Sequence, residues 1–243
     1  MKTFLLFLSA LILMAGCSPF SEKAAQRTDE TGIQLATVTV ATTSPKPVGL
    51  DQLDFGTRQI LRSYGPTIRT YSAKYGFDWR LTLAIIKAES NFLDSAESHR
   101  GAAGLMQIMP ETQEELAKAL EIDNIAEPQG NIHAGLYYLS KMNRFFRDAE
   151  EGDRLRLTLA AYNAGPGRVF DAQKIARYLN NDPNSWEAVR DALPMLSKRY
   201  YSLHDDIWPD RRPSSGQFRD HRQTIAYVER IIGYYDSYRL MLN

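Results

Sequence analysis

A carboxylate stands where an apolar residue belongs: Leu81, Ile85, Glu89 and Phe92 follow one another at spacings of four, four and three, the rhythm of one helix face. Glu89 is therefore expected to be partly buried. Desolvation disfavours an ionised carboxylate and raises its pKa, so such a glutamate can stay protonated near neutral pH and act as a general acid. The same spacing equally suits a structural glutamate paired with an arginine or a helix terminus, because ion-pair networks also place carboxylates at core edges. Two further stretches carry polar chemistry in apolar company. From Gly101 to Pro110 the chain reads GAAGLMQIMP; its glycines permit close backbone approach, and Gln107 offers both a donor and an acceptor. That suits a ligand cleft, or else a Met-rich loop plugging a core. From Ala160 to Gly165 it reads AAYNAG, so Tyr162 and Asn163 arrive together at a helix C-terminus. There a sugar can be stacked and hydrogen-bonded, although an asparagine can also simply help to end a helix.

The elements that must hold these residues are helical from about residue 51 onward, with no convincing period-two run and no internal repeat, which predicts an all-α domain. Asp78 is placed to cap a helix over Trp79 to Phe92. Pro110 suits the first turn of a helix running to Glu121, and Asn131 is placed to cap Ile132 to Phe146. In that last segment Ile132, Leu136, Leu139, Met142 and Phe146 form an apolar stripe. A helix over Leu155 to Ala164 stops at Gly165-Pro166-Gly167, and another follows to about Tyr178, before the turn Asn180-Asn181-Asp182-Pro183. Shorter helices fit Trp186 to Ala192 and Pro194 to Leu203. Asp205 to Gly216 reads as a loop, and Phe218 to Leu242 returns to helical spacing through Ile225, Val228, Ile232 and Tyr235.

The 243 residues carry 29 Lys+Arg against 29 Asp+Glu. A broad positive field is absent, so nucleic acid is not an expected partner. With 44% hydrophobic residues the chain can bury a core without staples, and a single cysteine, Cys17, excludes an internal disulfide. His99, His133, His204 and His221 are scattered without ligand spacing, and no HExxH pair appears, so no metal and no cofactor are expected. There is likewise no P-loop, dinucleotide fingerprint or GxSxG elbow.

Residues 1–16 read as an export signal: Lys2, then a nearly unbroken apolar run from Phe4 to Met14, about half the ~20 residues that a membrane-spanning helix needs. Leu13-Met14-Ala15-Gly16-Cys17 resembles a bacterial lipobox, which implies lipidation of Cys17 and attachment to a membrane through acyl chains. Ser18 after the cysteine, rather than Asp, implies the periplasmic side of the outer membrane. Residues 17–50, rich in Ser, Thr, Pro and Ala, read as the lipidated cysteine and a tether, leaving 51–243 as the folded domain.

Taken together, Glu89-Ser90 at a helix end, Ser98 and Gly101 leading into Gly104-Leu105-Met106-Gln107, Ala161-Tyr162-Asn163-Ala164-Gly165, and Tyr227-Val228 in a late helix resemble the catalytic domain of the soluble-type (SLT) lytic transglycosylases, which cleave the glycan strands of peptidoglycan. The segments around Trp186, Leu193-Pro194, Gly216-Gln217-Phe218-Arg219 and Tyr227 to Ile231 are most similar to the membrane-bound transglycosylase F subfamily. Many of its members carry a solute-binding-like domain before the catalytic one, for which the tether is expected to leave no room. Gln223 stands where many relatives have Glu.

The resemblance implies a lysozyme-like helical fold of the goose type with a cleft between lobes. It implies Glu89 as sole catalytic acid and base and, as substrate-binding residues, Ser98, Gln107 and Asn163 for the acetamido group or sugar, with Tyr162 and Tyr227 close to the glutamate. Ordinary glycosidases place two carboxylates across the bond; the resemblance implies that the substrate's own C6 hydroxyl replaces water, so one suffices. A hydrolytic lysozyme on the same fold would need a second carboxylate, for which Asp94 and Glu97 are the local candidates. A non-catalytic glycan-binding lipoprotein is the alternative outside catalysis.

Overall fold

The computed structural model describes residues 53–242. The signal segment 1–16, Cys17 and the whole of the tether to residue 50 lie outside the described residues. Those described are helical, with short 3-10 turns and no strand. In chain order the helices are α1 (Phe55–Tyr75), α2 (Trp79–Ser90), α3 (Pro110–Leu120), α4 (Pro128–Phe145), α5 (Glu151–Ala164), α6 (Pro166–Tyr178), α7 (Trp186–Ala192), α8 (Tyr201–Ile207) and α9 (His221–Met241). The all-α expectation therefore holds. Among the described residues no helix is long and apolar enough to cross a membrane.

Helix α2 begins where the sequence places it, because the Asp78 carboxylate accepts the backbone N–H of Arg80 at 2.9 Å and also binds the Arg80 guanidinium. It ends at Ser90, two residues before the expected Phe92, because Asn91 turns left-handed at φ 49° and Phe92 at 68°. Leu81, Leu83, Ala84, Ile85 and Ile86 are buried and α2 packs mainly against α9, while α4 lies between α1 and α5. The stripe of α4, from Ile132 to Phe146, is buried throughout.

Other boundaries differ from the sequence reading as well. Asn131 is not a cap: α4 starts a turn earlier, with Pro128 in its first turn, where the missing N–H costs nothing. Asn131 instead sits buried inside the helix, accepting from the Met106 N–H at 2.8 Å and donating to the Ala103 carbonyl at 3.0 Å. Helix α5 starts at Glu151 rather than Leu155, in a first turn whose acidic residues favour the positive end of the helix dipole without showing apolar periodicity. The expected helix over Pro194 to Leu203 is broken into 3-10 turns, Leu193–Leu196 and Lys198–Tyr200, before α8 runs into the segment read as a loop.

Helix α1 was not delimited by sequence at all. Gly65-Pro66 in its middle removes one backbone donor and lowers its helical signal. Its ends carry clear stops all the same: Asp54 accepts from the Thr57 N–H at 3.0 Å, and Gly76 closes it at φ 75°.

Candidate active site

The pairing of α2 with α9 brings Glu89 to Tyr227, whose hydroxyl donates to Glu89 Oε1 at 2.5 Å. Glu89 as a residue is half-buried, but protein encloses its carboxyl closely enough that its pKa is raised from 4.5 to about 7. Desolvation is the dominant cause; the Tyr227 hydrogen bond and the positive charge of Arg230 act in the opposite sense and are outweighed. Burial and the adjoining carboxylate push the Tyr227 and Tyr162 hydroxyls well above the ordinary value of 10. Both phenols are thus neutral donors over the whole working range.

Because Tyr227 stabilises the charged form of Glu89, Tyr227→Phe should raise the glutamate's pKa further. The alkaline limb of a Glu89-dependent rate profile should then move to higher pH, with a rate loss on the order of ten-fold from misorientation. A pH–rate profile of the variant checks this, and an unmoved limb would show that the hydroxyl does not tune the carboxyl.

The loop after α2 is held by its own backbone. Ala103 pairs with Ile108, Gly104 donates to the Ala96 carbonyl at 2.9 Å, and Gln107 sits at φ 47°. Gln107 Nε2 donates to the carbonyls of Ala96 (3.0 Å) and Gly104 (2.9 Å), which uses its donors on the loop and leaves the amide oxygen for another partner. Tyr162 reaches across from α5 and donates its hydroxyl to the Met106 carbonyl at 2.9 Å. Asn163 beside it is exposed and accepts from the Thr224 hydroxyl at 2.8 Å, leaving its NH₂ available. Ser98 Oγ accepts from the Ala102 N–H at 3.0 Å; its contacts stay within its own loop.

The structure thus joins Glu89, Tyr227 and Tyr162 by direct contact or mutual electrostatic influence, ties the Gln107 loop in through Met106, and ties Asn163 in through α9. Among the described residues Ser98 bonds only to Gly101 and Ala102 and shares no more than that loop with the others. Three contributors escaped the sequence reading. Thr224 and Arg230 lie three residues on either side of Tyr227, so the i±3 rule applied to that tyrosine would have found them. Asn131, which anchors Ala103 and Met106, carried only a capping signal. Of the carboxylates considered for activating water, Asp94 is exposed and accepts from the Tyr64 hydroxyl at 3.0 Å. Glu97 is exposed as well.

The transglycosylase SLT domain family matches residues 66–184, a span that holds Glu89, Ser98, Gln107, Tyr162 and Asn163. Residues 66–184 are a transglycosylase SLT domain. The chain is 38% identical, over 72% of its own length and 36% of the relative, to the membrane-bound lytic murein transglycosylase F of Desulfosudis oleivorans. It is 35% identical, over 74% of this chain and 35% of the relative, to that of Pseudoalteromonas translucida. The chain spans little more than a third of the length of these relatives. Among solved structures the 70 kDa soluble lytic transglycosylase of Escherichia coli shares the fold, with a TM-score of 0.51 at 24% identity over 76% of this chain and 25% of that one. The fold is thus the lysozyme-like helical one. Tyr227, which completes the glutamate's environment, lies beyond the matched span.

Proposed function

We propose that this chain is a peptidoglycan lytic transglycosylase, cleaving the β-1,4 bond between N-acetylmuramic acid and N-acetylglucosamine without water, with Glu89 as its single acid and base. The observation that carries the reading is a glutamate inside an SLT domain whose carboxyl is raised to about 7 and held by a neutral tyrosine donor. A carboxyl of that pKa is present in both forms near neutral pH, as a group that first gives and then takes a proton must be. The relatives' name, lytic murein transglycosylase, supports murein as the substrate.

In this reading protonated Glu89 gives its proton to the bridging oxygen as the bond to C1 of N-acetylmuramic acid breaks. The resulting carboxylate then takes the proton of that sugar's C6 hydroxyl, whose oxygen closes on C1. The product is a 1,6-anhydro end, no water is consumed, and Glu89 returns to its acid form. The 2-acetamido group supports the positive centre. Tyr227 orients the carboxyl, Tyr162 fixes the Met106 carbonyl beside the site, and Ser98, Gln107 and Asn163 offer hydrogen bonds to the acetamido group or sugar.

We further propose the organisation read from the sequence: a signal segment 1–16, Cys17 lipidated at the head of a tether to residue 50, and a catalytic domain 51–243 working on the periplasmic face of the outer membrane. The lone thiol at the end of a lipobox-like run supports it. Mass spectrometry of the soluble products of peptidoglycan digestion tests the reaction. Anhydro-muramyl ends, lighter by one water than hydrolysis products, are expected; reducing ends would make the protein a lysozyme.

A further inference from the structure

The face of α4 that holds the Gln107 loop carries one more aromatic residue, and the reaction above leaves it unused. Asn131, Gly135 and Tyr138 follow one another at steps of four and three, so they share that face over about 10 Å. Asn131 holds Ala103 and Met106. Gly135 lies against Met106, where a Cβ would come within 2.5 Å of the sulfur. One turn further on, the Tyr138 ring meets the Tyr162 ring edge to face, with centroids 5.4 Å apart, and Tyr162 is the residue whose hydroxyl binds the Met106 carbonyl. His133 and Tyr137 of the same helix instead meet Tyr71 and Tyr75 of α1. Tyr138 thus turns the other way, to the side of the glutamate.

Tyr227 and Tyr162 commit their hydroxyls to Glu89 and to the Met106 carbonyl. Tyr138 is half-buried, yet its hydroxyl is open to solvent and binds no other described residue. Burial, and then the negative charge of Glu115 in α3, push this phenol above its ordinary pKa, so it stays a neutral donor. Glu115 is in turn paired with Lys141, three residues beyond Tyr138. The ring therefore has Tyr162 on one side and an ion pair near its hydroxyl on the other. A phenol fixed by packing, with its hydroxyl free, suits a sugar: the ring covers the carbon face of a pyranose, and the hydroxyl donates to one of its oxygens with little conformational entropy left to lose. Filling the gap beside Tyr162 would need only a ring. The hydroxyl gains its use from where it lies, one ring further from Glu89 than Tyr162, in reach of a strand that continues past the bond being cleaved.

We propose that Tyr138 is a further glycan-binding residue, its ring covering the sugar beyond the one that Glu89 and Tyr162 engage and its hydroxyl donating a hydrogen bond to that sugar. The proposal rests on the peptidoglycan reading for its substrate, but part of its test does not depend on turnover.

Tyr138→Phe in the full chain keeps the ring and removes only the hydroxyl. On peptidoglycan strands it is expected to raise KM about five-fold, as the loss of one ordinary hydrogen bond does, and to leave kcat and the alkaline limb of the pH–rate profile where they were. Tyr138→Ala, which removes the ring as well, should raise KM about fifty-fold. With Glu89→Gln in place, calorimetric titration with the β-1,4-linked tetramer of N-acetylglucosamine should show the same two losses of affinity without any turnover. Unchanged KM and affinity in Tyr138→Phe would overturn the proposal. So would a loss in that variant confined to kcat, a displaced pH limb or a lowered melting temperature, because each marks a side chain that supports Tyr162 rather than one that meets a sugar. A parent chain that neither digests peptidoglycan nor binds the tetramer would bring down the peptidoglycan reading and this subsite with it. A parent that does both, beside variants that match it, would remove Tyr138 alone.

Discussion

Glu89→Gln is expected to lose turnover by about 10²- to 10⁴-fold, the range a positioned general acid and base contributes, and in the same protein to gain stability at alkaline pH. The two effects share one cause. The carboxyl is raised from 4.5 to about 7 by burial, so the folded chain holds this proton more tightly than the unfolded one. The stabilising contribution is fully present below about pH 4.5 and is lost as pH rises through about 7. The gap corresponds to roughly 3 kcal/mol, which the neutral amide does not lose. Melting curves of both proteins at pH 4.5 and pH 8 should therefore converge at the lower pH and separate at the higher one, the variant being the more stable. Parallel curves would mean that Glu89 is not desolvated, and undiminished turnover would remove it from the chemistry.

Gly104→Ala should be the most damaging small change in the loop that Tyr162 ties to the site. Gly104 sits at φ 79°, and a Cβ there would lie 2.5 Å from the Asn131 side chain, a group that cannot retreat without releasing the Met106 N–H and the Ala103 carbonyl. Left-handed strain of about 1–2 kcal/mol adds to an overpacking cost of about 1–3 kcal/mol. Thermal unfolding is expected to show a loss of roughly 3 kcal/mol, or a melting temperature lower by about 6–12 °C for a domain of this size. Turnover should fall as well, because the Met106 carbonyl is the acceptor for the Tyr162 hydroxyl. A variant as stable as the parent would show that the Asn131 clamp yields freely.

Helix α2 and its anomalous glutamate were legible in the sequence because cap, period and misfit all fall within fifteen residues: Asp78 starts the helix, and Leu81 and Ile85 define the face that Glu89 interrupts. A stripe is a local property. Tyr227 was not legible in that way. It lies 138 residues further along, and periodicity alone only places it on a helix; its link to Glu89 came from the resemblance. Asn131 was misread for a related reason, since an asparagine ahead of an apolar run has the same local signature whether it caps a helix or clamps a distant loop. The left-handed turn at Asn91 and Phe92, which ends α2 just past the glutamate, had no glycine to announce it.

The most direct test of a single glutamate working without water is digestion of peptidoglycan by the full chain in ¹⁸O-labelled water, with mass spectrometry of the products. The account predicts anhydro-muramyl ends that contain no solvent oxygen, and no such products from Glu89→Gln. Reducing ends carrying one labelled oxygen would contradict it, and would direct attention to a water-activating carboxylate such as Asp94 or Glu97.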